Sequence, residues 1–166
     1  MNAILKKISS YNLFNYLLPG VLFVVIVSRI TSYDLLVDDI VLGAFVYYFL
    51  GLVTSRIGSL VVEPAFKWFK FVEFAPYESF IRAEKEDGKI AVLSEANNMY
   101  RTFISLFGMI LLACVWESLT QSVAWIQSAE AYLITVVMIF LFALSYRKQT
   151  SYITNRISAR KHDDHH

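Results

Sequence analysis

IVLGAFVYYFLGLVTSRIGSLVV, residues 40–62, is an apolar run interrupted by one charge, Arg56. Its length meets the roughly 20 residues a helix needs to cross a bilayer. A charge at that depth costs at least about 2.5 kcal/mol on insertion scales, so it is kept where water, an anion or a carboxylate meets it. Gly51, Ser55 and Ser59 recur at four-residue spacing, with Thr54 and Gly58 beside them. Such a face of small side chains lets a neighbouring helix approach closely. Glu63 follows Arg56 by seven residues, too far along the helix for a turn-length ion pair.

Three more apolar stretches flank this one: residues 13–30, with Asn15 and Pro19 in its first turns, residues 102–119 and residues 125–146. Pro19 removes one helix bond and is expected to bend the first span. The third and fourth stretches are short of charge-free residues, and Glu117 and Glu130 mark their ends. The whole chain of 166 residues is 57% hydrophobic and only 17% charged, with a net charge of +1. A soluble domain carries nearer about 25% charged residues, so ordinary soluble globular classes are disfavoured. The single cysteine, Cys114, lies in an apolar run and supports no disulfide framework.

The basic residues order these spans. Lys6 and Lys7 precede the first; Lys67, Lys70, Arg82, Lys85, Lys89 and Arg101 lie between the second and third; Arg147, Lys148, Arg156, Arg160 and Lys161 follow the fourth. The two other connections carry Asp34, Asp38, Asp39, Glu117 and Glu130 against Arg29 alone. The positive-inside bias then puts both termini and the segment 63–101 in the cytoplasm. The expected fold is all-α: a single polytopic membrane domain, 1–166, with four transmembrane helices and a cytoplasmic or interfacial helical segment.

Within that segment Phe66, Trp68, Phe69, Phe71 and Phe74 crowd around Lys67, Lys70 and Glu73, a composition suited to the headgroup layer. Helical spacing would group Phe66 and Phe69 with Glu73. Two lysines balanced by Glu63 and Glu73 make a weak electrostatic footprint, so direct binding of nucleic acid is not expected. Asp87-Gly88 supplies a turn, and Ser94 is placed to cap the helix that enters the third span. Asn97, Asn98, Tyr100 and Arg101 cluster at the mouth of that span. Adjacent asparagines weaken a helix, so they are expected to hold a polar network, with Ser55 or Asn15 as partners, or to line a path.

The tail offers the one nuclease-like spacing. Arg156 with His162 gives R-x5-H and Arg160 with His165 gives R-x4-H, pairing a proton-exchanging group with a phosphate-stabilising one. These four are weak catalytic candidates because chain ends lack a scaffold. No metal site, cofactor motif, P-loop or catalytic triad is legible, and the ending KHDDHH has the composition of an affinity tag.

RIGSLVVEP, FAPY and SEANNMYRTF, together with the spans, resemble a group of small bacterial inner-membrane proteins. The size, the apolar helices and the terminal arginine–histidine spacing are also similar to the membrane accessory proteins of type VI-B CRISPR systems. That resemblance implies a homo-oligomeric inner-membrane pore working beside an RNA-guided ribonuclease in antiviral defence. It implies kinship with HEPN ribonucleases only through Arg156 with His162, or Arg160 with His165. The reading adopted is a pore without covalent chemistry, in which Arg56 or the Asn97–Arg101 group lies near the water path. Its rivals are a non-conducting structural or receptor subunit and a membrane-tethered HEPN-like ribonuclease.

Overall fold

A computed structural model describes residues 13–163, without the side chains of Phe14 and of residues 159–163. Every regular element among the described residues is helical. A π-helical turn, Leu13–Leu17, leads into α1 (Leu18–Ile30); α2 (Ile40–Ile57) passes through a second π turn, Gly58–Val62, into α3 (Glu63–Trp68); α4 (Tyr77–Glu86), α5 (Lys89–Ser122) and α6 (Ala124–Asp163) complete the chain. Among the described residues three helices are long and apolar enough to cross a membrane: Ile40–Trp68, Lys89–Ser122 and Ala124–Ser158. The apolar helix Asn15–Ile30 is shorter. The architecture is consistent with a polytopic membrane protein.

Both prolines in these helices follow a π turn. In the second turn, the Glu63 N–H bonds the Gly58 carbonyl five residues back. The same register assigns the Ser59 carbonyl to the nitrogen of Pro64, which has no hydrogen. An acceptor is thereby left open on α2, and its partner comes from another helix, described below. Pro19 sits two residues after the first π turn in the same manner. The prolines are thus absorbed by a change of helical register, the local adjustment through which membrane helices tolerate them.

The core is built around α1. Phe23, Val24 and Val27 pack against Leu106 and Ile110 of α5, with Tyr47 and Leu50 of α2 closing over them. On the α2 side the backbones touch: a Cβ on Gly20 would overlap the Tyr47 carbonyl, and one on Gly51 would overlap that of Tyr16. Gly58 meets α5 in a similar way, with the Arg101 carbonyl 3.2 Å from where a Cβ would stand. The small face read from the sequence is therefore spent inside the chain, on α1 and α5. Outward, Ile40, Leu111, Val137 and Phe140 are exposed. Water penalises such a surface, whereas acyl chains do not.

α2 starts on a cap, with the Asp39 Oδ1 accepting from the Leu42 N–H at 2.8 Å. α3 stops sharply. Lys70 takes a left-handed conformation at φ 56°, the Phe71 N–H bonds the Phe66 carbonyl at 2.9 Å, and the Lys70 N–H bonds that of Lys67 at 3.0 Å. This is a Schellman ending, completed by the Phe66 and Phe71 rings at 5.0 Å. A lysine at φ above zero costs about 1 kcal/mol or more. The helix expected to carry Phe66, Phe69 and Glu73 on one face thus ends at Trp68, and residues 71–76 are non-helical. α5 likewise starts at Lys89 rather than near Ser94; Asp87 Oδ1 accepts from the Lys89 N–H at 2.9 Å, leaving Ser94 inside the helix.

Candidate functional site

Glu63 is the one carboxylate in residues 40–72, and it is the hub of the bundle. Its side chain is only 8% exposed. Lys67, one turn along, reaches it at 3.1 Å; Arg101 of α5 binds its other oxygen through Nη1; Lys148 of α6 lies at 3.4 Å. Lys148 also donates to the Ser59 carbonyl at 2.6 Å. That is the acceptor left open by the π turn and Pro64. One ammonium therefore satisfies both a backbone group and a carboxylate, fastening α6 to the second π turn and α3. Three cations on one carboxylate leave a local charge of +2.

A neutral polar column runs from this layer into the apolar interior. Thr102 is fully buried and offers its hydroxyl to the Asn98 carbonyl at 2.8 Å, with Asn15 Oδ1 at 3.3 Å and Ser55 Oγ at 3.4 Å. A turn further, Ser105 donates to the Thr54 carbonyl at 2.8 Å. Asn15 and Ser55 thus do take part in a network with α5, but Thr102 is their partner. The Asn98 carbonyl is used and its side chain forms no bond among the described residues; Asn97 and Tyr100 face outward. Of the group at residues 97–101, only Arg101 joins the ionic layer.

Arg56 is half-buried and forms no hydrogen bond or ion pair among the described residues. At 1.5 Å per residue it stands about 24 Å from Ile40 and about 18 Å from Trp68, well within the long helix. Two turns before it on the same side is Phe49, whose ring stacks on Phe142 of α6 at 6.0 Å.

The opposite end is held by acidic residues. Glu130 Oε1 accepts from Trp116 Nε1 at 2.7 Å and from the Tyr33 hydroxyl at 3.0 Å, while Glu117 accepts from the Ser32 N–H. Burial, reinforced by Glu130 against an opposing hydrogen bond from Thr120, holds the Tyr33 phenol above its ordinary range. It remains a protonated donor, and the loop 31–39 is tied down onto α5 and α6. The flanking aromatics lie at the Glu63 end: Trp68, Phe69, Phe71 and Phe74 are exposed, and Lys67 stands over the Phe74 ring at 4.2 Å.

Arg156 lies exposed on the last turns of α6, and the side chains of Arg160 and His162, with His165, lie outside the described residues. Among the described residues no group of three histidine, cysteine or acidic side chains could hold a metal ion. In the sequence Glu63 stands as a distant neighbour of Arg56 and as one of two acids that offset Lys67 and Lys70. The available signal was an isolated carboxylate four residues before a lysine, next to a proline, at the edge of an apolar run.

These features define a class: an all-α, multi-helix protein with a cation-rich carboxylate layer at one end of apolar helices. No protein-family model, curated protein or solved structure matches the chain.

Proposed function

We propose that the chain is the subunit of an oligomeric membrane pore that threads a bacterial inner membrane four times, with both termini and the segment 63–101 in the cytoplasm. The basic residues at the Glu63 end and the acidic ones at the Tyr33 end support this orientation. The observation that carries the pore is Arg56: a guanidinium midway along an apolar helix, without a partner among the described residues. Water or an anion in a path between protomers meets its charge. α6 supplies surface for assembly, since only 11% of its apolar window is buried, against 28% for the helix that bears Arg56. Service in antiviral defence beside an RNA-guided ribonuclease is the cellular role that the resemblance to type VI-B accessory proteins suggests.

A cation about 10 Å from a permeating anion, at an effective dielectric of about 20, stabilises it by about 1.7 kcal/mol, more than tenfold in occupancy. Protein reconstituted into planar bilayers is therefore expected to pass anions over cations, and Arg56→Leu to cut anion conductance by about tenfold. Absence of conductance, or conductance untouched by Arg56→Leu in an intact oligomer, would count against the proposal and favour a non-conducting subunit that uses Arg56 to hold a partner helix.

A further inference from the structure

The ionic layer has more positive charge than its own carboxylate neutralises, and it stands where the apolar helices end. Lys67, Arg101 and Lys148 keep 47%, 22% and 23% of their side-chain surface exposed, so all three remain open to a ligand. Arg101 contributes a second signal. It binds Glu63 through Nη1 alone, and its Nε–H is buried with no acceptor among the described residues. A buried donor without a partner costs about 1–3 kcal/mol, more on a charged group, and is retained where something completes it. A guanidinium and two ammoniums around one point match the oxygens of a phosphate.

Position selects the source of that phosphate. The exposed Trp68, Phe69, Phe71 and Phe74 lie beside the cluster, and such rings settle at the level of lipid headgroups. The Tyr152 ring lies 5.6 Å from the Lys148 ammonium, adding a second amphipathic wall on α6. Basic clusters between membrane helices at this level receive anionic headgroups. We propose that Lys67, Arg101 and Lys148 form a site for the phosphodiester of an acidic phospholipid, which bridges α3, α5 and α6. The site depends on these helices lying in a bilayer and not on conduction.

The full-length protein in neutral detergent tests this with dioleoylphosphatidylglycerol, dioleoylphosphatidylcholine and inorganic phosphate as separate additions. Phosphatidylglycerol at saturation is expected to raise the melting temperature by about 5 °C and to remain bound in native mass spectra, with phosphatidylcholine doing neither. Lys148→Gln should lose the retained lipid, as should Lys67→Gln, whose more exposed side chain allows folding if the first variant fails. Arg147→Gln, an exposed charge next door, should keep it. Equal response to both lipids, full retention in Lys67→Gln, loss in Arg147→Gln, or the same shift from inorganic phosphate alone would overturn the assignment to a lipid.

Discussion

Gly51→Ala is expected to destabilise the bundle by about 3 kcal/mol, the upper part of the range for overpacking, and Gly20→Ala by a similar amount. In each case the added methyl falls on a backbone carbonyl, that of Tyr16 or Tyr47, rather than on the far end of a side chain that can turn away. The helices themselves must separate. Separation then opens the contact between Phe23, Val24 and Val27 and the residues of α2 that cover them. In lipid this loss is not offset by water, because packing and close backbone contact are what hold apolar helices together there. Gly108→Ala provides the control, since no atom lies within 4 Å of its Cβ position; it should gain up to about 1 kcal/mol from helix propensity. Unfolding of the three variants in mixed detergent measures the difference. Equal stability of Gly51→Ala and Gly108→Ala would contradict the backbone contact between α1 and α2.

Glu63→Gln is the second large effect. It preserves shape and removes the one charge that, among the described residues, holds Lys67, Arg101 and Lys148 together. Breaking a buried ion pair from one side costs about 3–5 kcal/mol. The three cations are partly exposed, so solvent and salt reduce the expected loss to about 2 kcal/mol. A double-mutant cycle with Lys148→Met isolates the fastening between α3 and α6, and a coupling of about 1 kcal/mol is expected. Lys148→Met alone should also destabilise, because the Ser59 carbonyl loses its donor and Pro64 cannot replace it. Additive effects of the two substitutions would show that Lys148 and Glu63 act independently.

The helical class and the presence of long apolar helices were legible because apolar length is a local property of the chain. Arg56 drew notice for the same reason: one charge in a run of apolar residues needs no tertiary knowledge to be conspicuous. The small face of Gly51, Ser55 and Ser59 was also legible, but not its partners. A four-residue repeat says that something approaches closely, and only the packing assigns Gly51 to Tyr16 and Gly58 to Arg101. The Glu63 layer was missed because two of its three cations come from positions 38 and 85 residues away in sequence. Spacing along one helix cannot register such pairs.

Local signals misdirected the reading in two places. Asn97 and Asn98 were expected to carry the polar network, whereas the bonds to Asn15 and Ser55 fall to Thr102, a residue with no unusual pattern around it. Ser94 has the chemistry of a helix cap, yet Asp87 and Gly88 set the start of α5 five residues earlier. The aromatic segment kept its helical period on paper only as far as Trp68. The ending there is decided by a left-handed Lys70 and by the Phe66–Phe71 contact, which a count of apolar positions does not contain.

Accessibility of single cysteines tests most directly whether the helices thread a bilayer with the Glu63 end in the cytosol. In a Cys114→Ser background, cysteines at Asp38, Gln127 and Glu86 occupy exposed positions at the two ends of the bundle. A membrane-impermeant maleimide applied to intact bacterial cells is predicted to label Asp38→Cys and Gln127→Cys, and to reach Glu86→Cys only after the membrane is opened. Labelling of Glu86→Cys in intact cells, or equal labelling of all three in a protein recovered without detergent, would contradict it.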